Sequence, residues 1–311
     1  MIDLAIDIQE IQQLAQFMGG RLSLKGLVEG TLSGTHRNRK QGASLDFAQH
    51  RDYVVGDDLK HLDWKAYAKN DRYVIKQYQE ESNLRAFMVV DRSSSMNYQG
   101  GGLCKKGVYA AQLAATLSWM FLLQGESVGA LTFGNRIDHF LPARSNREHF
   151  WRILKILQTA PWQAETHAQS ALGHLAERLP PKGVVFLLTD AFDFQADMMA
   201  DTKSNDYLES FSAVARQLQR QGYHVIIMHI LDPYELDFPF DQLALFEGLE
   251  GEASIKIDPE GVREAYLKEM NLFCQQLKHK ALSGSVTYLA CRTDRPLKHH
   301  LLMMLEEMNR L

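Results

Sequence analysis

Short apolar runs alternate with longer stretches of helical periodicity from Leu84 onward, and this alternation constrains the fold more than any other feature of the chain. Strands that alternate with helices in this way are typical of a parallel sheet joined by crossover helices. The apolar runs are continuous in valine, isoleucine and leucine, so we expect helices to cover both faces of the sheet. The sequence therefore predicts an α/β fold with a doubly wound, mostly parallel sheet.

The period of the apolar residues places the individual elements of this region. Strands are predicted at residues 86–90, 128–133, 184–188, 225–230 and 286–289. Helices are predicted at residues 106–123, 147–157, 169–179, 207–220, 261–281 and 297–309. Residues 232–257 contain two prolines and short strand-like pieces, and we expect them to form an excursion at the edge of the fold.

The first 82 residues have a different texture. Apolar residues recur at helical spacing from Leu4 to Met18 and stop at Gly19 and Gly20, which predicts an amphipathic helix packed on the main body. Residues 21–82 are dense in charged and turn residues. We therefore predict two parts: residues 1–82, an amino-terminal helix and charged module packed on the main domain, and residues 83–311, the α/β domain.

The end of the charged module has its own strand pattern. Residues 73–79 alternate between apolar and polar side chains and are followed by a polar turn, so we expect them to pair antiparallel with residues 86–90. The apolar runs of the module are short, and we expect the module to depend on the α/β domain for its order.

Composition excludes several classes of protein. The 311 residues are 45% hydrophobic and 23% charged, which is ordinary for a globular protein and excludes a wholly disordered chain. No apolar run approaches the roughly 20 residues that span a bilayer, and the amino terminus lacks the basic start of a secretory signal, so we expect a cytoplasmic protein without a transmembrane segment. Three cysteines without a CxxC spacing indicate neither a disulfide framework nor a zinc site. The net charge is −4 and no recognised module accompanies the basic cluster at residues 36–40, so we expect no nucleic-acid partner.

Oxygen-bearing side chains follow two of the predicted strands. Asp91, Ser93 and Ser95 come directly after the first strand, Asp190 follows the strand at 184–188, and Thr166 lies in the turn before a predicted helix. Ligands of open α/β sheets bind beyond the carboxyl ends of the strands, and a hard divalent cation such as Mg²⁺, Mn²⁺ or Ca²⁺ takes oxygen ligands. A helix-capping turn would show the same DxSxS pattern, but its joint occurrence with Thr166 and Asp190 favours a metal site.

The same five positions resemble the metal-ion-dependent adhesion site of the von Willebrand factor A fold. In that family the first aspartate and the two serines, the later threonine and the last aspartate form the metal site, and a partner's carboxylate often completes the shell. The resemblance implies that Asp91, Ser93, Ser95, Thr166 and Asp190 are metal ligands. It also implies that the sheet belongs to a von Willebrand factor A-like domain.

A second resemblance is more specific and covers more of the chain. The run SLDFAQHRDYVVGDDLKHLDWKAYAKNDRYVIKQYQEE, followed by FMVVDRSSSM, is similar to the signature of the bacterial domain-of-unknown-function family fifty-eight. Members of that family often accompany MoxR-type AAA+ ATPases and pair a charged module with a von Willebrand A-like domain. The resemblance implies a non-enzymatic adaptor that works with such an ATPase or its client in assembling or activating other proteins. One departure is the insertion NYQGGGLCKKG after the site, which is longer than a tight strand-to-helix turn requires.

An alternative function comes from a cluster of acidic residues and histidine within the charged module. The spacing of Asp57, Asp58, His61 and Asp63 would suit a metal-dependent hydrolase. The simpler interpretation is a turn followed by a short solvated helix, and we favour it.

Other polar and aromatic residues are given structural roles. For Arg51, Asp52, Asp63 and Lys65 we expect ion pairs that fix the module, and for Trp64 we expect a core anchor rather than a stacking platform. The glycines at 100–102 and the lysines that follow lack the GxxxxGK[ST] order of a phosphate-binding loop, so we expect no nucleotide site there.

Overall fold

The structure is a computed structural model that describes residues 8–19, 45–53, 62–64, 66–67, 72–80, 84–160, 162, 178–180, 182–192, 206–246, 255–284 and 286–310. The chain divides into two compact units, one formed by Met1–Gly34 with Leu84–Leu311 and the other by Thr35–Asn83. The described residues 8–19 group with the larger unit.

The elements are numbered along the chain. In chain order the strands are β1 (Leu45–Asp52), β2 (Val74–Glu80), β3 (Arg85–Asp91), β4 (Ser127–Phe133), β5 (Ile137–Arg144), β6 (Gly183–Thr189), β7 (Tyr223–Leu231), β8 (Ala244–Phe246), β9 (Ile255–Ile257) and β10 (Thr287–Arg292). The helices are α1 (Ile8–Gly19), α2 (Lys106–Leu123), α3 (His149–Thr159), α4 (Asp206–Arg220), α5 (Pro233–Asp237), α6 (Pro259–Ser283) and α7 (Leu297–Arg310).

The larger unit contains a six-stranded sheet in the order β10-β7-β6-β3-β4-β5. All neighbours pair in parallel except β5, which lies antiparallel to β4 at one edge. The predicted α/β class and the mostly parallel sheet are therefore confirmed, and the strand order is the common doubly wound one. The antiparallel edge strand β5 was not predicted.

Both faces of the sheet are buried, as the continuous apolar runs predicted. Successive residues of a strand point to opposite faces, and in β3 the side chains of Met88 and Val90 enter one core cluster whereas those of Phe87 and Val89 enter the other. The first cluster includes residues of α1, α2, α3 and α7, and the second includes residues of α4 and α6. Helices on both sides therefore exclude water from the faces of the central strands.

Helix α2 is apolar on all sides because other elements surround it. It contacts β3 and three other helices, α1, α3 and α7, and most of its residues are buried. Ile11 and Ala15 of α1 are buried in the same cluster, so the amino-terminal helix packs on the main body as predicted. Among the described residues, no helix is both long enough and apolar enough to span a membrane.

The smaller unit contains an antiparallel pair of strands. Strand β2 pairs with β1, with Val74 opposite Asp52 and Glu80 opposite Leu45. The predicted pairing of residues 73–79 with residues 86–90 is wrong, because β3 is a central strand whose two edges are taken by β4 and β6.

Trp64 corrects a second expectation about this unit. Its side chain is 62% exposed and its ring meets Tyr67 edge-on at 6.3 Å, so it is not the predicted core anchor. Tyr67 in turn stacks on Tyr73 at 4.5 Å. These three aromatic residues form a small cluster with exposed members, and the two paired strands seen in the described part of the unit enclose little volume.

Most predicted elements are present in the described residues. Of the elements predicted from Leu84 onward, all five strands and five of the six helices occur, with ends that differ by up to three residues, and α2 has the predicted bounds. Most of the helix predicted at residues 169–179 lies outside the described residues. The described residues of the excursion at 232–257 include α5 and the short antiparallel pair β8 and β9.

Candidate functional site

The strand order creates a switch point between β3 and β6, because the sheet continues through β4 on one side and through β7 on the other. The two strands are parallel, with Val90 opposite Leu188. Asp91 is the last residue of β3, Thr189 is the last residue of β6, and Asp190 follows directly. The structure therefore brings two of the predicted ligands, Asp91 and Asp190, to the same edge of the sheet.

Asp91 is buried, with 2% of its surface exposed, and different neighbours orient its two carboxylate oxygens. Oδ1 accepts a hydrogen bond from the backbone N–H of Ser93 at 2.8 Å, and Oδ2 accepts one from the Thr189 hydroxyl at 2.5 Å. The Thr189 oxygen accepts in turn from the backbone N–H of Ala191 at 2.9 Å. The hydroxyl oxygens of Ser93 and Ser95 lie 2.9 Å apart. The three residues of the DxSxS motif thus gather their oxygens in one small region.

The pKa of Asp91 reflects this crowded environment. The pKa of its carboxyl is raised from 3.8 to about 6 because burial and, to a smaller extent, repulsion from Asp190 outweigh the hydrogen bonds from Thr189 and Ser93, which lower it. Two carboxylates that repel each other in a poorly solvated place are stabilised by a nearby cation.

Lys106, the first residue of α2, already supplies one positive charge. Its ammonium group donates to Asp190 Oδ2 at 2.8 Å and to Glu235 Oε1 at 2.5 Å, and its side chain is 0% exposed. Burial disfavours the charged lysine, but attraction to Asp190 and Glu235 outweighs this effect and raises its pKa above the ordinary value. Its one positive charge is thus shared between two carboxyl groups, and Asp91 adds a third carboxyl group that repels Asp190.

The loop between β3 and α2 is held by Asp232, which is fully buried. Its carboxylate accepts from the backbone N–H groups of Gly100, Gly101 and Gly102 at 2.9–3.2 Å. A side chain at Gly102 would lie 2.1 Å from Thr293 Oγ1, so this position has room only for glycine. The long insertion NYQGGGLCKKG is therefore an anchored loop, and it leads into α2 at the predicted residue.

His229 positions the backbone beside the site. Its Nε2 donates to the carbonyl oxygen of Asp190 at 2.8 Å, which leaves Nδ1 to accept from the Tyr288 hydroxyl at 2.7 Å. Burial lowers the pKa of His229 to about 4, so the ring is neutral at pH 7 and this pattern of donor and acceptor is maintained.

The oxygen atoms present suit a hard divalent cation. The structure brings together Asp91, Ser93, Ser95 and Asp190, which offer carboxylate and hydroxyl oxygens of the kind that Mg²⁺ prefers, whereas Thr166 lies outside the described residues. Within the described ranges, no three Asp, Glu, His or Cys side chains form a metal-binding group. The candidate site therefore depends on its hydroxyl oxygens as well as on its two carboxylates.

The alternative cluster is described only in part, since Asp57, Asp58 and His61 lie outside the described residues. Asp63 is buried, and its Oδ1 accepts from the backbone N–H of Ala66 at 3.2 Å. This bond is the type that caps a turn at the start of a helix.

Sequence reasoning missed three residues of the site. Thr189 stands next to the predicted Asp190 and could have been found from that position. Lys106 was considered only as a phosphate ligand, and Glu235 lies in the irregular segment after β7. Both lie far from Asp190 in the sequence. In the structure the ammonium group of Lys106 bonds both Asp190 and Glu235.

The fold and the site define an α/β protein whose mostly parallel sheet carries acidic and hydroxyl side chains at its switch point. The chain belongs to the family described as "Protein of unknown function DUF58", which it matches over residues 49–272. Uncharacterized proteins of Mycobacterium tuberculosis and Mycobacterium bovis are 25% identical to it over 294 residues, covering 93% of this chain and 87% of each relative.

Solved structures show weaker similarity. The conserved hypothetical protein BatB from Bacteroides thetaiotaomicron has 15% identity and a TM-score of 0.46, and an aerotolerance-related membrane protein from Bacteroides fragilis has 16% identity and a TM-score of 0.43. Each comparison covers 73% of this chain and 100% of the other chain. Both TM-scores are too low to assign a fold family.

Proposed function

We propose that the protein is a non-enzymatic, metal-dependent adaptor that binds a protein partner through a divalent cation, with Mg²⁺ as the expected ion. Asp91, Ser93, Ser95 and Asp190 would hold the ion, together with Thr166 as the resemblance to the von Willebrand factor A fold implies. The observation that carries this proposal is the convergence of the DxSxS oxygens and a second buried aspartate at the switch point.

The charges of the site support a cation. Asp91 and Asp190 repel each other, and Lys106 is shared between Asp190 and Glu235 rather than bonded to Asp91. A divalent ion would offset the remaining negative charge, and its bound state would supply an open coordination position for a partner's carboxylate oxygen. Burying that carboxylate without a cation would carry a large desolvation penalty.

The partner follows from the family resemblance. We propose a MoxR-type AAA+ ATPase, or one of its clients, which places the complex in the cytoplasm. An acidic residue of the partner would complete the shell of the ion, so the ion and the binding of the partner would depend on each other.

The first test is metal-dependent stability of the full-length protein. Mg²⁺ should raise the Tm of the wild type, with a stabilisation of about 2.7 kcal/mol at roughly 100 times the dissociation constant. Asp91→Asn should remove this increment. Because ionisation of Asp91 is unfavourable in the fold, the variant should be at least as stable as the wild type in EDTA. The exposed Asp241→Asn is the matched control and should respond like the wild type.

The second test measures the partner. Wild-type protein should retain a co-expressed MoxR-type ATPase in a pull-down with Mg²⁺ and lose it in EDTA. Asp91→Asn should lose it in both, and Ser93→Ala should weaken retention less because it removes an oxygen but no charge. Equal retention by the wild type in EDTA and in Mg²⁺ would contradict a metal-bridged contact, even if the two proteins associate.

A further inference from the structure

We propose that Lys106 is an internal counter-ion that competes with the metal ion for Asp190 and thereby sets the affinity of the site. This inference rests on the proposed function, since it concerns the same ion. In this scheme the ammonium group bonds both Asp190 and Glu235 in the metal-free protein. When the ion binds, the ammonium group releases Asp190 and keeps Glu235.

The position of Lys106 is unfavourable for a lysine unless negatively charged groups pair with its ammonium group. The side chain is fully buried, and it stands in the first turn of α2, where the helix dipole disfavours a positive charge. Its ion pairs with Asp190 and Glu235 offset these two effects. Asp190 Oδ2, the oxygen that Lys106 bonds, belongs to a candidate metal ligand, so the ammonium group and the ion would compete for the same carboxylate.

A second place for the ammonium group already exists beside the site. Glu235 lies 2.5 Å from it and is oriented by the backbone N–H of Asp232, which donates to its other oxygen at 2.9 Å. The ring centroids of Phe192 and Tyr98 lie 4.7 Å and 5.9 Å from the ammonium nitrogen, within the range of cation–π attraction. Release of Asp190 would therefore leave the buried charge paired, which makes the exchange feasible.

The consequence is a site that binds its ion weakly until another negative charge arrives. A divalent cation must take Asp190 from Lys106 or share it, and either change loses part of an existing ion pair. A carboxylate from the partner would add negative charge, and this would favour binding of the ion over the ion pair between Lys106 and Asp190. Removing the charge of Lys106 should also strengthen binding of the ion, without any partner.

The experiment is a calorimetric titration of the full chain with MgCl₂ and, separately, MnCl₂. Lys106→Met, which keeps most of the side-chain volume, should bind the ion roughly tenfold more tightly than the wild type. Lys105→Met is the matched control: it removes the same charge from the neighbouring residue, whose side chain is exposed and donates to Asn97 Oδ1 at 3.0 Å. Its affinity should equal that of the wild type. Equal or weaker binding by Lys106→Met would overturn the competition.

The outcomes separate this inference from the proposed function. If the wild type binds the ion and Lys106→Met binds it no better, only the competition fails. If Lys106→Met binds and the wild type does not, the competition stands and the wild-type metal site fails. Absence of binding by both overturns both.

A measurement on the wild type avoids any dependence on how the variants fold. The ammonium signal of Lys106, assigned by its loss in the charge-conserving Lys106→Arg, should shift in nitrogen-15 NMR spectra when Mg²⁺ saturates the site. An unchanged signal at saturation would overturn the exchange. Lys106→Gln, which keeps an N–H donor for Asp190, is the second neutral variant for the titration and should bind more tightly than the wild type.

Discussion

His229 is a buried histidine whose two ring nitrogens both have partners within the chain, the Asp190 carbonyl oxygen and the Tyr288 hydroxyl. The carbonyl can only accept, so the ring must donate from Nε2 and accept at Nδ1. Protonation would place a second N–H against a hydroxyl that is itself donating, and it would charge a ring that burial has removed from water. The neutral ring therefore stabilises the backbone next to Asp190.

The residue scale yields a prediction about pH. The pKa of His229 is about 4 in the fold and 6.5 in the unfolded chain, so the unfolded state binds more protons between these values. The contribution of His229 to stability should therefore rise by about 3 kcal/mol as the pH rises from about 4 to about 6.5, and it should stay level above. In urea unfolding at several pH values, the stability of the wild type relative to His229→Gln, which keeps a donor and an acceptor, should increase through this window, whatever the other titrating groups contribute to both proteins.

The control for this prediction is His279→Gln, an exposed histidine of α6. It should leave the pH dependence of the wild type unchanged. Parallel curves for the wild type and His229→Gln between pH 4 and 6.5 would show that His229 does not contribute.

At the scale of elements, α5 is a short helix that organises a much longer loop. Asp232 caps it and accepts from the backbone N–H of Tyr234, while Glu235 completes the capping box through the backbone N–H of Asp232. The same Asp232 carboxylate also accepts from the three glycines at 100–102. One helix start therefore anchors the loop that leads from the DxSxS motif to Lys106.

Because Asp232 anchors this loop, its replacement by asparagine is expected to lower the free energy of unfolding strongly. Asp232→Asn keeps the volume but replaces one acceptor oxygen with an NH₂ group, so at least one backbone N–H group loses its partner. We expect unfolding free energy to fall by about 2–4 kcal/mol, measured with guanidinium chloride. Asp241→Asn, an exposed change of the same chemistry, should have an effect within about 0.5 kcal/mol. A similarly small effect at Asp232 would show that these bonds contribute little.

At the scale of the whole molecule, the two compact units are expected to differ in whether each can fold on its own. In the described residues of the smaller unit, regular strand structure is limited to the pair β1 and β2. An isolated two-stranded hairpin is marginally stable in water, because it buries too little apolar surface to offset the entropy of ordering the chain.

We therefore expect residues 35–83, expressed alone, to show no cooperative thermal transition by circular dichroism. The full-length protein, measured in the same buffer, is the reference and should unfold cooperatively. A cooperative transition in the fragment would make the smaller unit an independently folding domain.

Much of the fold could be predicted because its signals are local. The bounds of α2 followed from a long apolar stretch between a glycine loop and Gln124, and β6 followed from a continuous apolar run. Strand β5 was missed because its sequence, IDHFLPAR, mixes polar residues and a proline with apolar ones. That mixture is allowed only at the edge of a sheet, where one side of the strand needs no hydrogen-bonded neighbour.

The candidate site could be predicted where its residues form a local sequence pattern. Asp91, Ser93 and Ser95 form a local motif, and Asp190 could be added because the carboxyl ends of parallel strands meet at one edge. The bonds of Lys106 cross 84 residues to Asp190 and 129 residues to Glu235. Local pattern carries no information on such contacts.

The sequence by itself determined the α/β class, the period and position of most elements, and the acidic and hydroxyl groups at two strand ends. Only the tertiary structure decided that β2 pairs with β1 rather than with β3, that β5 forms an antiparallel edge of the sheet, and that the charge of Lys106 is buried beside Asp190. The physical reason is that helical or strand periodicity depends on neighbours in the chain. Strand pairing and the stability of a buried charge depend instead on groups that only folding brings together.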